Sequence, residues 1–196
     1  MGAIRSIILA AGESKRMGFP KMLLRFNGKT MIENVLDNVT ESDSDSILVV
    51  LGAAMEDLIS IVGKYDVKHC YNNNYREGML SSVQCGFRNI PPDTEAVLVF
   101  QGDQPFITPE VINSVIEAYR SSGKGIIIPV YKGKRGHPLL LDSKSKVQID
   151  TLDKDKGLRS ITYIHSADIY EVETDEPGIL RDFDTYDDYK KEIKQI

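Results

Sequence analysis

Short apolar runs alternate with amphipathic stretches along almost the whole chain. Runs of about four to eight apolar residues between polar turns are typical of strands buried in a parallel sheet. The predicted strands are Ile4–Ala10, Ser46–Leu51, Val67–Tyr71, Ala96–Phe100, Gly125–Pro129, His137–Leu141 and Asp168–Val172. The predicted helices are Met31–Asn38, Met55–Gly63, Met79–Arg88, Pro109–Ser121, Lys156–His165 and Thr185–Ile193. This alternation predicts an α/β fold, a three-layer sandwich whose mostly parallel sheet carries helices on both faces.

Length and composition are consistent with this fold and argue against other classes. A chain of 196 residues corresponds to a single domain, residues 1–196. The net charge of −5 and the lack of a basic run argue against nucleic-acid binding. No apolar run approaches the roughly 20 residues of a membrane span, so we expect no membrane partner. The first strand follows the N-terminus at once, and the two cysteines lack the spacing of a zinc site. We therefore expect no signal peptide and a cytoplasmic protein.

The segment from Leu9 to Lys21 is the most informative one in the chain. It follows the first predicted strand, and α/β proteins bind ligands in loops at the carboxyl ends of parallel strands. Its small residues let backbone N–H groups approach an anion, and Arg16 and Lys21 add positive charge. Five residues separate Gly12 from Gly18, a spacing found in neither the Walker A loop nor the dinucleotide motif. The segment predicts a triphosphate site, and a plain turn with solvated cations is the alternative.

Acidic residues follow a second buried strand and also lie near the end of the chain. Gly102 and Asp103 come directly after the strand Ala96–Phe100 and Gln101, and a carboxylate at this position suits Mg²⁺. Asp182 and Asp184 alternate on one face of an extended segment and could complete a metal site with Asp103. The alternatives are a turn closed by Asp103, and helix capping beside a solvated acidic face.

Two further polar segments are candidates for binding a substrate. Gly78 and Ser82 open a predicted helix, where backbone amides and hydroxyls could bind a base or a ribose, or form a plain N-cap. Residues 131–138 place cations, glycines and His137 beside a strand, where His137 could bond a phosphate or a polar ring. The alternative for this second segment is a hairpin with exposed cations.

Together these segments resemble the molybdenum cofactor cytidylyltransferase family, within the small α/β nucleotidyltransferases. The first loop matches the pattern L-A-A-G-x-S-x-R-M-G-x-x-K at every fixed position. The other matching motifs are G-M-x-x-S (Gly78, Met79, Ser82), G-D-x-P (Gly102, Asp103, Pro105), R-G-H-P (Arg135 to Pro138) and D-x-D-T-x-x-D (Asp182, Asp184, Thr185, Asp188). The resemblance covers almost the whole chain and implies a Rossmann-like sandwich of the nucleotide-diphospho-sugar transferase type.

The resemblance implies that CMP passes from CTP to the terminal phosphate of the molybdopterin cofactor, with Mg²⁺ as cofactor and pyrophosphate as the second product. Related enzymes that use GTP have L-A-G-G in the first loop, so Ala11 resembles the CTP users. The residues implied to bind the nucleotide are Leu9, Ala10, Ala11, Gly12, Lys21, Gly78, Ser82, Gly102 and Asp103. Those implied to act in catalysis are Arg16, Lys21 and Asp103. The implied metal ligands are Asp103, Asp184 and Asp182. The residues implied to bind the acceptor are Arg135, His137 and Pro138.

Two other functions stay open at this point. One is a cytidylyltransferase of the same architecture that acts on a sugar or polyol phosphate. The other is a non-enzymatic nucleotide-binding partner in the maturation of a molybdoenzyme, although the joint presence of Arg16, Lys21, Asp103 and Asp184 argues against it. A client molybdoenzyme is the one protein partner that the resemblance brings in.

Overall fold

A computed structural model of the protein describes residues 2–152, 157–183 and 185–193. Within these ranges eight strands form one sheet and two short strands form a hairpin. The strands are β1 (Ala3–Ala10), β2 (Arg25–Phe26), β3 (Lys29–Thr30), β4 (Ser46–Leu51), β5 (Lys68–Tyr71), β6 (Thr94–Gln101), β7 (Ile126–Tyr131), β8 (Lys134–Arg135), β9 (Leu139–Asp142) and β10 (Ile169–Glu173). The helices are α1 (Met31–Thr40), α2 (Met55–Val62), α3 (Met79–Asn89), α4 (Pro109–Ser122), α5 (Lys146–Ile149), α6 (Arg159–Ile164) and α7 (Tyr186–Ile193).

The large sheet is mostly parallel, as predicted. Its strand order is β10-β7-β9-β6-β1-β4-β5, and β8 pairs with β7. β1 lies in the middle and pairs in parallel with both β4 and β6. β9 is antiparallel to its neighbours β6 and β7. Residues 132–138 alone connect β7 to β9, and this is too few for the helical crossover that a parallel pair needs.

Helices cover both faces of the sheet, which confirms the predicted three layers. Alternate side chains of a strand point to opposite faces. Ile8 of β1 accordingly packs in one apolar cluster with residues of α1 and α4, such as Ile32 and Ile112. Ile7 packs in a second cluster with residues of α3 and α6, such as Val83 and Ile161.

A glycine in α3 lets that helix lie close to the sheet. A Cβ atom at Gly86 would be 2.8 Å from the side chain of Ile7, a distance that real Cβ atoms do not adopt. Any larger residue would push α3 away from β1 at the cost of about 1–3 kcal/mol or more. This close packing brings the first turn of α3 to the carboxyl end of β1.

The remaining differences from the sequence predictions lie in short elements. The strand predicted over His137–Leu141 begins at Leu139 in the structure, because Pro138 has no N–H to donate to a ladder. The predicted helix from Lys156 to His165 begins outside the described residues, and the structure has α6 over Arg159–Ile164. The short β2, β3 and α5 were not predicted, whereas β8 pairs antiparallel with β7 in a hairpin with exposed cations, the alternative given for residues 131–138. No helix within the described ranges is long and apolar enough to cross a membrane.

Candidate active site

The loop that follows β1 is held in shape by Ser14. Its hydroxyl oxygen accepts a hydrogen bond from the Lys21 backbone N–H at 3.0 Å, and its carbonyl accepts from Met17 N–H at 2.9 Å. Ser14 has φ = 51°, in the left-handed region that few residues other than glycine adopt. Gly18, further along the loop, has φ = 75°. The loop therefore folds back so that Lys21 returns to the end of the strand.

Lys21 and Asp103 are 82 residues apart in sequence and form an ion pair in the structure. Lys21 Nζ lies 2.8 Å from Asp103 Oδ2, and each side chain is only 12% exposed. The pair is possible because β1 and β6 are neighbours and the Gly102 N–H donates to the Leu9 carbonyl at 3.0 Å. A Cβ at Gly102 would lie 3.0 Å from Met22 Sδ and 3.1 Å from the Leu9 oxygen, so glycine allows this close approach.

The loop, the end of β6 and the start of α3 enclose a cleft of about 570 Å³ at the carboxyl edge of the sheet. Most of the predicted site residues line it, namely Leu9, Ala11, Gly12, Arg16, Lys21, Gly78, Ser82, Asp103 and Asp182. Residues to which the sequence analysis assigned no role also line it, namely Glu13, Ser14, Lys15, Met22, Tyr75, Arg76, Met79 and Gln101. Ala10 and Gly102 are buried behind this lining. Asp184 lies outside the described residues.

The open side of the cleft carries mostly basic side chains. Arg16 is exposed there, and Lys15 and Arg76 lie on either side of Glu13, at 2.8 Å and 3.7 Å from its carboxylate. The hydrogen bond from Lys15, together with the charges of Lys15 and Arg76, lowers the pKa of Glu13. Glu13 therefore stays ionised and holds two cations near the mouth of the cleft.

Asn72 organises the side of the cleft formed by α3. It is only 4% exposed, and its side-chain amide donates to Ser81 Oγ at 2.8 Å and to Ser82 Oγ at 3.0 Å. No side chain caps the N-terminus of α3, where Gly78 has φ = 99°. The first backbone N–H groups of an uncapped helix are available to an anion or a polar ligand. No sequence pattern distinguishes Asn72 from the two asparagines that follow it.

The R-G-H-P segment lies beside the cleft and does not line it. Gln101, which does line the cleft, has its Nε2 atom 2.9 Å from His137 Nε2. Arg135 is exposed and its Nε donates to Glu171 Oε1 at 2.6 Å, while Pro138 is buried. Burial lowers the pKa of His137, and the nearby Val99 carbonyl opposes this fall in part. The predicted contact of these three residues with an acceptor stays a prediction.

Phe183 explains how Asp182 reaches the cleft. Phe183 is buried in a third apolar cluster with Phe26 and Tyr189, and the Tyr189 hydroxyl donates to the Arg25 carbonyl at 2.7 Å. Neighbouring side chains of an extended segment point in opposite directions. With Phe183 directed into the cluster, the preceding Asp182 is exposed and lines the cleft.

The donor set is compatible with a hard divalent cation held jointly with a substrate. Within the described ranges no group of three or more His, Cys, Asp or Glu side chains could hold a metal ion unaided. Asp103 already accepts a cation, the Lys21 ammonium, on its Oδ2. Mg²⁺ commonly binds through one or two carboxylates together with substrate phosphates and water, which fits Asp103 and Asp182.

The fold is that of an α/β protein with a cleft of charged and polar side chains at the carboxyl edge of a parallel sheet. Residues 6–169 match the MobA-like NTP transferase domain, and the chain belongs to this family. The protein is therefore a nucleotidyltransferase.

Two relatives illustrate the activities named for proteins similar in sequence to this chain. It is 29% identical over 189 residues to the molybdenum cofactor cytidylyltransferase of Escherichia coli K12, covering 96% of this chain and 95% of that protein. It is 34% identical over 140 residues to a probable molybdenum cofactor guanylyltransferase of Natranaerobius thermophilus, covering 66% of this chain and 62% of that protein. Neither is named for a client molybdoenzyme, and that partner stays a prediction.

Solved structures share the fold across the full length of the chain. Rv0371c from Mycobacterium tuberculosis H37Rv, in complex with manganese, superposes with a TM-score of 0.84 at 22% identity, covering 99% of this chain and 100% of that one. The 4-diphosphocytidyl-2C-methyl-D-erythritol synthase from Anaerococcus prevotii superposes with a TM-score of 0.79 at 21% identity, covering 100% and 97%.

Proposed function

We propose that the protein transfers CMP from CTP to the terminal phosphate of the molybdopterin cofactor and releases pyrophosphate, with Mg²⁺ as cofactor. The observation that carries this proposal is the meeting of the Gly12–Lys21 loop with Asp103 in one cleft, opposite the uncapped start of α3. This arrangement offers an anion cradle, a metal-binding carboxylate and a polar helix end within the span of one nucleoside triphosphate. The likeness to the Escherichia coli cytidylyltransferase over nearly its full length supports the acceptor.

The choice of CTP over GTP rests on Ala11. Relatives named for cytidylyl and for guanylyl transfer have similar identities to this chain, so identity alone does not separate the two bases. Ala11 lines the cleft, and its backbone lies very close to Gly52. A Cβ atom added at Gly52 would be 2.5 Å from the Ala11 carbonyl oxygen. The Ala11 methyl group therefore cannot move back toward β4. It narrows the cleft in favour of the smaller pyrimidine ring.

The cations of the first loop stabilise the charge that develops on the leaving pyrophosphate. Backbone N–H groups of residues 10–18 surround the triphosphate, and Arg16 and Lys21 lie on its anionic oxygens. Lys21 moves from Asp103 Oδ2 to a phosphate oxygen, a shift that keeps its ammonium paired with an anion throughout. The acceptor phosphate is already a nucleophile, and none of the described residues is required to act as a general base.

Asp103 and Asp182 are the described residues that would hold Mg²⁺, and Asp184, outside the described residues, is a third candidate. Mg²⁺ bound there would supply positive charge that offsets the negative charge of the phosphates. Asp103 is fixed for this role by its position directly after β6 and by the tight approach of Gly102 to β1. Asp182 is fixed by the burial of Phe183.

Pyrophosphate release measures this function directly. The protein is incubated with Mg²⁺, with CTP or GTP, and with molybdopterin cofactor or 2C-methyl-D-erythritol 4-phosphate. We expect release with CTP and molybdopterin cofactor only. Release with the erythritol phosphate would favour the polyol phosphate alternative, and release with GTP would refute the assignment of the base. Absence of release with every pair, in protein that is folded and binds CTP, would refute the proposed function.

A further inference from the structure

Gln101 and His137 form a polar pair at the edge of the cleft. Gln101 is the last residue of β6 and is aligned with Leu9 of β1 in the sheet register. His137 precedes β9, which pairs with β6 on the side away from β1. Two nitrogen atoms, Gln101 Nε2 and His137 Nε2, face each other at 2.9 Å.

The chemistry of the two nitrogens determines the tautomer of His137. An amide nitrogen of glutamine only donates hydrogen bonds. His137 Nε2 must then accept, so the ring is neutral and carries its proton on Nδ1. Burial favours the neutral ring by lowering the pKa of His137, and the charged groups that act on it are Asp103, which raises this pKa, and Arg159, which lowers it.

This bond leaves the Gln101 carbonyl oxygen available to a ligand. In the described part of the chain no donor forms a hydrogen bond with Gln101 Oε1, whereas Nε2 is held by His137. Gln101 lines the cleft and is half-buried. A fixed, unused acceptor at the wall of a binding cleft selects for a ligand that presents an N–H or O–H group.

The position of Gln101 assigns it to the acceptor substrate. Odd-numbered residues of β6 such as Val99 pack in the same cluster as Leu9 and the residues of α3, so Gln101 lies on the α3 face of the sheet. Along the carboxyl edge of this face, Ser82 and Leu9 lie on one side of Gln101 and His137 lies on the other. With the nucleotide between the first loop and α3, Gln101 borders the space beyond the triphosphate, on the side toward His137.

We propose that Gln101 Oε1 is a specificity determinant that accepts a hydrogen bond from the acceptor, and that His137 is a positioning residue that fixes the Gln101 amide. The acceptor is thus a phosphate monoester whose carrier has an N–H or O–H group near the phosphate. This inference rests on the proposed transfer to a phosphate acceptor and adds the group that the enzyme recognises.

Nitrogen-15 NMR of the histidine rings in the intact protein tests the orientation of the pair. We expect an unprotonated Nε2 and a protonated Nδ1 for His137 at neutral pH, with the signals assigned by their loss in His137→Gln. A protonated Nε2 would mean that Gln101 presents its NH₂ group to the cleft, and it would overturn the proposal.

Steady-state kinetics of pyrophosphate release with CTP and molybdopterin cofactor test the role. Gln101→Met removes the amide at nearly constant volume and should raise KM for the acceptor about 3- to 10-fold, the value of one hydrogen bond, while KM for CTP stays within about 2-fold. His137→Leu should have a similar effect. His137→Gln, which keeps a neutral acceptor atom, should restore most of the affinity. The double variant Gln101→Met/His137→Leu should be no worse than Gln101→Met alone.

Gln84→Met is the matched control. Gln84 lies on α3 outside the cleft lining and donates to the Ile149 carbonyl at 3.1 Å, so the same substitution removes one hydrogen bond away from the site. An unchanged acceptor KM in folded Gln101→Met, or an equal rise in KM for CTP, would overturn this inference while turnover by the unsubstituted protein upholds the proposed function. Failure of the unsubstituted protein to turn over would refute the function itself.

Discussion

Replacing Lys21 with methionine separates the contribution of its charge to catalysis from its contribution to the fold. Methionine keeps most of the apolar stem and removes the ammonium that lies 2.8 Å from Asp103 Oδ2. Removing one partner of a fully buried pair costs about 3–5 kcal/mol. Because each side chain keeps 12% exposure and borders a cleft open to water, we expect the free energy of unfolding to fall by only about 1–2 kcal/mol.

The effect of Lys21→Met on catalysis should be larger than its effect on stability. Loss of one group that stabilises developing charge lowers kcat by about 10²- to 10³-fold, which corresponds to about 3–4 kcal/mol of transition-state stabilisation. Urea unfolding followed by circular dichroism measures the first quantity, and pyrophosphate release measures the second. Turnover of folded Lys21→Met equal to that of the unsubstituted protein would refute the assignment of Lys21 to the triphosphate.

Two further variants show whether the ion pair itself is responsible. The double variant Lys21→Met/Asp103→Asn removes both charges of the pair, so no unpaired carboxylate is left in the cleft. It should therefore recover part of the lost stability and remain inactive. Lys29→Met is the control, because Lys29 pairs with Asp37 at 2.6 Å while its own side chain is 55% exposed. An exposed pair contributes about 0–1 kcal/mol. Equal destabilisation by Lys29→Met and Lys21→Met would mean that burial of the Lys21 pair has no energetic consequence.

Three other predictions concern base choice, the α3 side of the cleft and acid stability. Ala11→Gly should lower the ratio of kcat/KM for CTP to that for GTP about 10-fold, and an unchanged ratio would contradict the role of its methyl group. Asn72→Leu leaves two serine hydroxyls without their donor, so KM for CTP should rise about 10-fold and the free energy of unfolding should fall by about 1–3 kcal/mol; wild-type values of both would contradict its organising role. Hydrogen bonds from Thr30 hold the pKa of Glu33 below 4.5, so the stability that this carboxylate gives to α1 is complete above that pH and is lost as the pH falls through its lowered pKa. Glu33→Gln should therefore flatten the dependence of unfolding free energy on pH below about pH 5, and a slope equal to that of the unsubstituted protein would contradict this.

The fold could be predicted from sequence because the strands of this sheet are apolar runs with clear limits. β4 has the predicted bounds, β1 begins one residue before its predicted start, and β6 extends its predicted strand by two residues at the start and one at the end. The direction of β9 was less accessible, because an apolar run does not reveal whether its neighbour is parallel. The length of the connection after β7 determines that direction. Two-residue strands such as β8 carry no periodic signal at all.

For the site, the sequence was sufficient to predict which residues come together, but not which of their atoms are in contact. Parallel strands end at one edge of the sheet, so the loop after β1 and Asp103 after β6 had to meet there. Which atoms face each other depends on side-chain direction and on the register of neighbouring strands. Motif matching therefore selected His137 but not Gln101, which lines the cleft and whose Nε2 lies 2.9 Å from His137 Nε2.

Sequence patterns revealed neither Asn72 nor Gln101, and the physical reason is the same for both. Each is a neutral amide at the end of a strand, β5 or β6, and each bonds to residues that follow it by at least nine positions. An amide carries no charge that would mark a site, and its role depends on which groups hold its two ends. Asn72 Oδ1 accepts from the Asn74 N–H at 2.9 Å while its Nδ2 donates to the serines, whereas Gln101 bonds to His137 through Nε2. These partners are a property of the folded edge of the sheet. In the proposed function, the charged residues of this cleft bind the phosphates, and the two amides, held by Ser82 and by His137, determine what else binds beside them.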